Sequence, residues 1–387
     1  MKIASIRPVL LSYDTSRDAP LAWSGGTITT WDAALVEVTL PSGVTGLGEV
    51  AQGTMAAEAV PGILDALSRY LEDVDMPAIA IGDHLRDKTR FWARGGISSG
   101  VIAAVELACL DAESIEAGVP LWQHLQGQHD GPVDEPAATI DAYASGGLGT
   151  TFEQVADWTI EQFEAGFRTI KIRAMRDPAT TIDLARHVAG LLGGRARLCL
   201  DAVQGCASNP WPISDAIAVG QELSRLGAYW YEEPCAVEDL AGYVAVRSAV
   251  DVAVTGVESF TVVEDFYRLI DAKAVDIAQP DLSMIGGYAQ FRRVADYARA
   301  AGIDAIPHVW GSGVQLMTSV HAAFATGLNL VEVCTLLNPL REATMNNPLT
   351  LIDGAIPRPT EPGSGATLPA DAEQTFAYRP GRGMLIR

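Results

Sequence analysis

Positive charge is scarce in this sequence: 27 Lys and Arg stand against 48 Asp and Glu in 387 residues, a formal net charge of −21. A surface so acidic repels phosphate backbones and anionic bilayers, which excludes nucleic acid and membrane surfaces as partners. The acid excess is spread along the chain instead of collecting in a tail, so it reads as a solvated surface and not an interaction arm. Cysteine is also sparse and odd in number: Cys109, Cys199, Cys206, Cys235 and Cys334, scattered and without a CxxC pair. That pattern argues against a disulfide scaffold or a structural zinc site, and it fits free thiols in a reducing cytoplasm. No window approaches ~18 uninterrupted apolar residues, so no membrane span is expected. The first fourteen residues place one lysine before an interrupted apolar stretch, and they read as a β-strand, not a signal peptide. What the chain does have is apolar material, 48% against 19% charged. That suffices for two domains, or for a large barrel with an attachment.

Residues 1–130 read as an α+β domain. Met1–Tyr13 and Trp31–Leu40 are strand-like, and Pro41-Ser42-Gly43 turns the second into Val44–Val50. Helical spacing follows over Ala56–Leu71, and a longer Ala-rich helix over Ser98–Ala117 stops at Gly118. The polar, Gly- and Pro-containing segment Gly127–Glu135 marks a domain boundary. Over residues 131–347 apolar strand candidates then alternate with helical stretches. The strand candidates are Ala138–Tyr143, Thr169–Ile172, Ala196–Leu200, Tyr229–Tyr231, Val252–Thr255, Ala274–Ala278, Ile303–Ile306 and Leu330–Val333. Eight β units in such alternation imply a parallel sheet with right-handed crossovers closed into a (β/α)7β TIM-like barrel. Residues 348–387 break the rhythm, carry an Asp353-Gly354 hairpin signal, and are expected to return to the α+β cap.

Chemistry in such barrels collects at the C-terminal ends of the strands. Reading the polar residue where each apolar run stops gives Lys171 and Arg173, Asp201, Glu232-Glu233-Pro234, Glu258, Gln279-Pro280-Asp281, His308 and Glu332. Taken singly, each has an ordinary reading as a helix cap, a solvated edge or a satisfied structural histidine. Together they place an ionisable group on every strand from the second to the eighth. Asp201, Glu232 and Glu258, on three adjacent strands, would repel one another unless a hard divalent cation joined them. Mg²⁺ suits that set because it prefers oxygen and keeps positions open for substrate oxygens. Cations on one side of the ion and an Asp/His pair on the other are what proton abstraction beside a carboxylate requires.

At these residues the sequence resembles the enolase superfamily, in its mandelate racemase/muconate lactonizing enzyme-like branch, over nearly the whole length. Gly46-Leu47-Gly48-Glu49 and the helix ending near Gly118-Val119-Pro120-Leu121 are similar to that family's capping domain, and the ionisable residues follow the family's order. The resemblance implies Asp201, Glu232 and Glu258 as Mg²⁺ ligands. It implies His308 as the acid/base oriented by Asp281, and Glu332 as a hydrogen-bonding partner of the substrate carboxylate. Residues 308–313 and Asn338-Pro339-Leu340-Arg341 look most like acid-sugar dehydratases and lactone cycloisomerases, and barrels of the family commonly form homo-oligomers.

Two positions depart from the family's pattern. Arg173 stands where a second lysine is usual, and guanidinium stays protonated, so it clamps a carboxylate but is a poor base. That favours a lyase in which His308 works from one face, a hydro-lyase (dehydratase) acting by β-elimination. Val203 stands where the family often has Asn, which removes a contact to a substrate hydroxyl. Residues 206–214 also read as an insertion between the first two ligands. Residues 20–30 form a candidate lid, and Trp23, Val203 and Trp310 are candidate substrate contacts. The competing readings are a racemase, epimerase or cycloisomerase of the same fold, with Lys171 as second base, and a barrel that binds an acid without turnover.

Overall fold

The computed structural model describes residues 1–15, 21–23, 26–128, 136–381 and 385–386. The N-terminal unit is a three-stranded antiparallel sheet of order β1 (Ser5–Asp14), β4 (Thr30–Thr39) and β5 (Thr45–Val50); β2 (Leu21–Trp23) and β3 (Gly26–Ile28) form a separate short pair. Helix Ile97–Glu116 crosses this sheet. Gly46 and Gly48 on β5 permit the approach, since an added Cβ would stand 2.2 Å from the Ala108 carbonyl oxygen and 2.0 Å from that of Ala104. The helix is buried on every side from Ser98 to Ala112, which is why its sequence is largely apolar instead of striped, interrupted by Glu106 and Asp111. One side meets the cap sheet and another meets the barrel near Leu282–Ile285.

Residues 139–334 form the (β/α)7β barrel: β6 (Thr139–Ser145), β7 (Thr169–Arg173), β8 (Arg197–Asp201), β9 (Trp230–Glu232), β10 (Ala253–Thr255), β11 (Ile277–Ala278), β12 (Asp304–Ala305) and β13 (Leu330–Cys334). Six of them pair in parallel in the order β10-β9-β8-β7-β6-β13, and the parallel pair β11-β12 continues from β10. The junction is made by the Asp276 amide donating to the Val254 carbonyl at 2.8 Å and by the Thr255 hydroxyl donating to the Ile277 carbonyl at 2.9 Å. The crossover helices begin and end as their sequences dictate. Thr151 and Gln154 form a reciprocal capping box, and Gly193, Gly227 and Gly327 end three helices in the left-handed conformation.

The last forty residues visit both units. Asp353 and Gly354, with φ of 51° and 80°, turn the chain into β14 (Ala355–Pro357). This strand pairs antiparallel with Thr139–Asp141, below the level at which β7 pairs with β6. The sequence predicts that the whole tail returns to the cap; an otherwise unpaired stretch of β6 edge holds its first part at the barrel instead. Beyond it, Ser364 donates to Asp111, Ala377 bridges Leu11, and β15 (Leu385–Ile386) pairs with β3.

Buried carboxylates on the long helix fasten it to the barrel and to the C-terminal tail. Glu106 on the long helix accepts the Ala289 amide at 2.9 Å, and burial, only partly offset by Arg86, lifts its pKa to about 7. Burial likewise lifts Asp111 to about 6, against the lowering effect of the Leu47 and Ser364 amides. A carboxyl raised on folding contributes stability in full below its unfolded pKa, and that contribution is lost as pH rises through the folded value. The melting temperature is therefore expected to fall by several degrees between about pH 5 and about pH 8. Differential scanning calorimetry across that range checks this, and a flat or rising profile contradicts it.

Candidate active site and metal centre

The strand register assembles the site. Arg173 pairs with Asp201 across β7–β8, Asp201 with Glu232 across β8–β9, and Glu232 with Thr255 across β9–β10. Glu258 follows Thr255 through Gly256 and Val257, whose φ angles are 135° and 62°. Glycine is required at 256, because a Cβ there would stand 2.9 Å from the Glu233 amide nitrogen. Six described non-glycine residues have positive φ, and Val203, Glu233 and Val257 each lie within two positions of Asp201, Glu232 or Glu258. A β-branched residue in the left-handed region is costly, and such strain gathers where a site over-determines the backbone. Val203→Gly should therefore stabilise the fold by about 1 kcal/mol. A melting temperature that falls in this variant contradicts that reading of the strain.

The side chains form two layers. Arg173, Asp201, Glu258, Asp281 and His308 line a cavity of about 360 Å³ at the barrel mouth, together with Val203 and Trp310. Lys171, Glu232 and Glu332 lie below that wall and are fully buried. Lys171 Nζ bridges Glu232 at 2.5 Å and Glu332 at 3.0 Å, over the face of Tyr143. Glu232 also accepts from the Trp230 indole at 2.9 Å and the Gln279 amide at 3.1 Å, and Glu332 from the Val309 amide at 2.8 Å. In the upper layer Arg173 pairs with Asp201 at 3.2 Å and lies over the Trp310 ring at 5.3 Å. His308 presents Nε2 to Glu258 at 3.3 Å and is held through Nδ1 by Asp281 at 2.7 Å. Of the candidate lid, Ile28 on β3 reaches the cavity wall, whereas residues 20, 24 and 25 and the Trp23 side chain lie outside the described residues.

Burial raises the pKa of Asp201, Glu232 and Glu258, and each feels the neighbouring carboxylates in addition. Burial works against ionisation of Glu332 too, but Lys171 and His308 overcome it and bring that group down to about 2. Burial disfavours the His308 imidazolium, and Glu258 and Asp281 more than compensate, placing it at about 10. Six carboxylates, counting Glu233, thus crowd around three cationic side chains, Lys171, Arg173 and His308. Among the described residues no three potential ligands converge on one point with these rotamers, because Asp201, Glu232 and Glu258 are each paired with one of those cations. The donor chemistry nevertheless fits a hard divalent cation: the three carboxylates stand on neighbouring strands, offer only oxygen, and share an excess of negative charge.

Sequence reasoning passed over three participants. Glu233 lines the cavity beside Asp201 and Glu258, although it follows Glu232 directly. Gln315 occupies the last place of Ser312-Gly313-Val314-Gln315, which reads as an ordinary capping box. Its amide instead donates to Asp281 at 2.7 Å, fixing the carboxylate that holds His308. The backbone amides of Ser312 and Gln315 are taken by Glu49 of the cap at 3.0 Å each, so the cap buttresses the helix that orients the Asp281–His308 pair. Burial lifts Glu49 to about 7 against the lowering effect of Ser312. The signal was present in Gly46-Leu47-Gly48-Glu49, a carboxylate at the end of a strand with glycines cleared for close packing.

Known proteins share this arrangement of cap and barrel. The chain is 27% identical to D-galactarolactone cycloisomerase from Agrobacterium fabrum, over 97% of this chain and 99% of that one. It is 25% identical to arabinonate dehydratase from Saccharolobus solfataricus, over 95% and 96%. A crystal structure of a racemase from Streptomyces coelicolor with bound magnesium superposes with a TM-score of 0.82 at 25% identity, covering 99% of this chain and 100% of that one. Residues 6–126 match the family model for the mandelate racemase/muconate lactonizing enzyme N-terminal domain, and residues 154–372 match the enolase C-terminal domain-like model. The chain therefore belongs to the mandelate racemase/muconate lactonizing enzyme branch of the enolase superfamily, whose members similar to it are lyases and isomerases.

Proposed function

We propose that this protein removes the α-proton of a small hydroxylated carboxylate and expels the β-hydroxyl as water, a Mg²⁺-dependent dehydration. The observation that carries the reading is asymmetry of the cavity: His308, oriented by Asp281 at 2.7 Å, lines it, and among the described residues Arg173 is the one other cationic side chain on its wall. Guanidinium does not give up its proton, so the chemistry has one competent base. Lys171, the alternative second base, is held beneath the wall between Glu232 and Glu332.

The residues divide the work as follows. Asp201, Glu232 and Glu258 would hold the divalent ion, which when bound supplies positive charge against the two negative charges of an enediolate. Arg173 clamps the substrate carboxylate and adds its fixed charge on the side opposite His308. Once Glu258 serves the divalent ion instead of Nε2, the charge that keeps His308 protonated is withdrawn, and the neutral imidazole takes the α-proton on Nε2 while Asp281 stabilises the resulting imidazolium through Nδ1. The imidazolium then returns the proton to the departing β-hydroxyl, so α-hydrogen and β-hydroxyl leave together as water and an enol remains, which tautomerises to a 2-oxo acid. Glu332, ionised and tied to Lys171 at 3.0 Å, keeps that lysine beneath the cavity wall. The similarity to arabinonate dehydratase and D-galactarolactone cycloisomerase supports α-proton chemistry on an acid.

Incubation with 2,3-dihydroxy carboxylates in D₂O, followed by mass spectrometry and NMR, tests the reading. The expected result is a 2-oxo acid lighter than its precursor by one water. Recovered substrate carrying α-deuterium, with no loss of water, would assign the site to an epimerase instead.

A further inference from the structure

The cavity wall outside the reacting centre is made of apolar groups drawn from both units of the fold. Ile28 and Met55 come from the cap side, and Leu148, Val203, Met284 and Trp310 come from the segments that follow barrel strands. The other polar side chains there are largely engaged. The Thr54 hydroxyl donates to the Ala51 carbonyl at 3.0 Å, and the Thr261 hydroxyl accepts the Gly96 amide at 2.8 Å. The Gln315 amide serves Asp281 and the backbone of Trp310 and Gly311. Ser259 and Cys206 are exposed at the rim. Two buried groups on the described wall, beyond the charged cluster, have no hydrogen-bond partner: the amide of Gln52 and the indole nitrogen of Trp310. Gly100 makes room for the Gln52 amide, since a Cβ at that position would lie 2.0 Å from its oxygen.

A ligand buried here must match that inventory. A carboxylate and two hydroxyls on the α- and β-carbons are served by Arg173, His308 and the strand-end carboxylates. Each further hydroxyl needs a partner, and the wall supplies Gln52 and the Trp310 N–H. An unmatched buried hydroxyl costs roughly a factor of ten or more in binding, whereas an aliphatic or aromatic group gains from contact with the same wall. The five hydroxyls of a hexonate exceed the four that these groups can serve, and any polyhydroxylated chain forgoes contact with the apolar part of the wall.

We infer that the substrate is a 2,3-dihydroxy carboxylate whose β-carbon carries a compact aliphatic or aromatic substituent bearing at most two further polar groups, placed opposite Gln52 and the Trp310 indole nitrogen. The inference rests on the dehydration proposed above and narrows its substrate. The reaction balances as loss of the α-hydrogen and β-hydroxyl as one water, giving a 2-oxo acid with the apolar substituent unchanged on the adjacent carbon.

The test compares 2,3-dihydroxy-3-phenylpropanoate and 2,3-dihydroxy-4-methylpentanoate, in all stereoisomers, with a panel of pentonates, hexonates and hexarates, scoring 2-oxo acid formation and α-deuterium uptake in D₂O with Mg²⁺. The expected result is kcat/KM at least 100-fold higher for an isomer of the first group than for any sugar acid. Leu148→Asn and Met284→Gln, which add amides to the wall without touching the charged cluster, should narrow that ratio by about tenfold each, chiefly through KM. Greater kcat/KM on a sugar acid overturns the substrate class and leaves dehydration standing. Absence of both 2-oxo acid and α-deuterium with every acid overturns the dehydration reading and this inference with it. An unchanged ratio in both variants shows that these side chains do not read the substrate and overturns the wall argument.

Discussion

His308→Asn is expected to lower 2-oxo acid formation and α-proton exchange by about 10²- to 10⁴-fold, the range attributable to a positioned general base. Asparagine can keep a hydrogen bond to Asp281 from near the place of Nδ1, yet nothing then occupies the position of Nε2, which faces Glu258 at 3.3 Å. The loss is therefore expected in kcat, with KM little changed. The wild-type response of melting temperature to Mg²⁺ should persist, which separates a missing base from a collapsed site. A variant that retains most of its turnover would eliminate His308 as the base. A variant that loses the Mg²⁺ response would show instead that the imidazole is part of what holds the ion.

Arg173→Lys should change the kind of product as well as its rate. The guanidinium is fixed in charge, is paired with Asp201 at 3.2 Å and lies over the Trp310 ring at 5.3 Å. An amine in its place loses the planar stacking and the forked donor geometry, so dehydration should fall by about 10- to 100-fold. The amine can also give up a proton, and it would stand across the cavity from His308. Recovered substrate should then contain deuterium in both configurations at the α-carbon, a racemisation absent from the parent. Exchange confined to one configuration in both proteins would show that Arg173 is not what keeps the chemistry one-sided.

The barrel was legible because its grammar is local. Eight apolar runs recur at regular intervals, and Tyr229–Tyr231 and Leu330–Val333 fall within a residue of the strands observed. The ionisable residue at the end of the second to the eighth run follows from the same pattern, since a strand of known direction places its last side chains toward the mouth. Layering was not legible. Lys171 and Arg173 are two residues apart on one strand, and sequence treats them alike. The backbone rise between them puts the lysine in a closed pocket with Glu232 and Glu332 and the arginine on the cavity wall. Contacts between distant segments were hidden too. Glu49 meets Ser312 across 263 positions, and Gln315 meets Asp281 across 34, with no periodicity to announce either. The short helix Ala78–Lys88 escaped notice for a related reason: its start, Pro77, carries no side-chain cap, and its buried face is only Ala78, Ile81, Gly82 and Leu85.

Of all measurements, isothermal titration of Mg²⁺ bears most directly on the site, because it needs neither substrate nor turnover. The wild-type protein should bind one equivalent, and its melting temperature should rise with the free ion concentration. Asp201→Asn, Glu232→Gln and Glu258→Gln should each abolish or severely weaken that binding while remaining folded, since each removes one negative charge from a cluster that has too many. Undiminished Mg²⁺ binding in all three variants, or no binding by the wild-type protein, would contradict the assignment of these carboxylates as the metal centre.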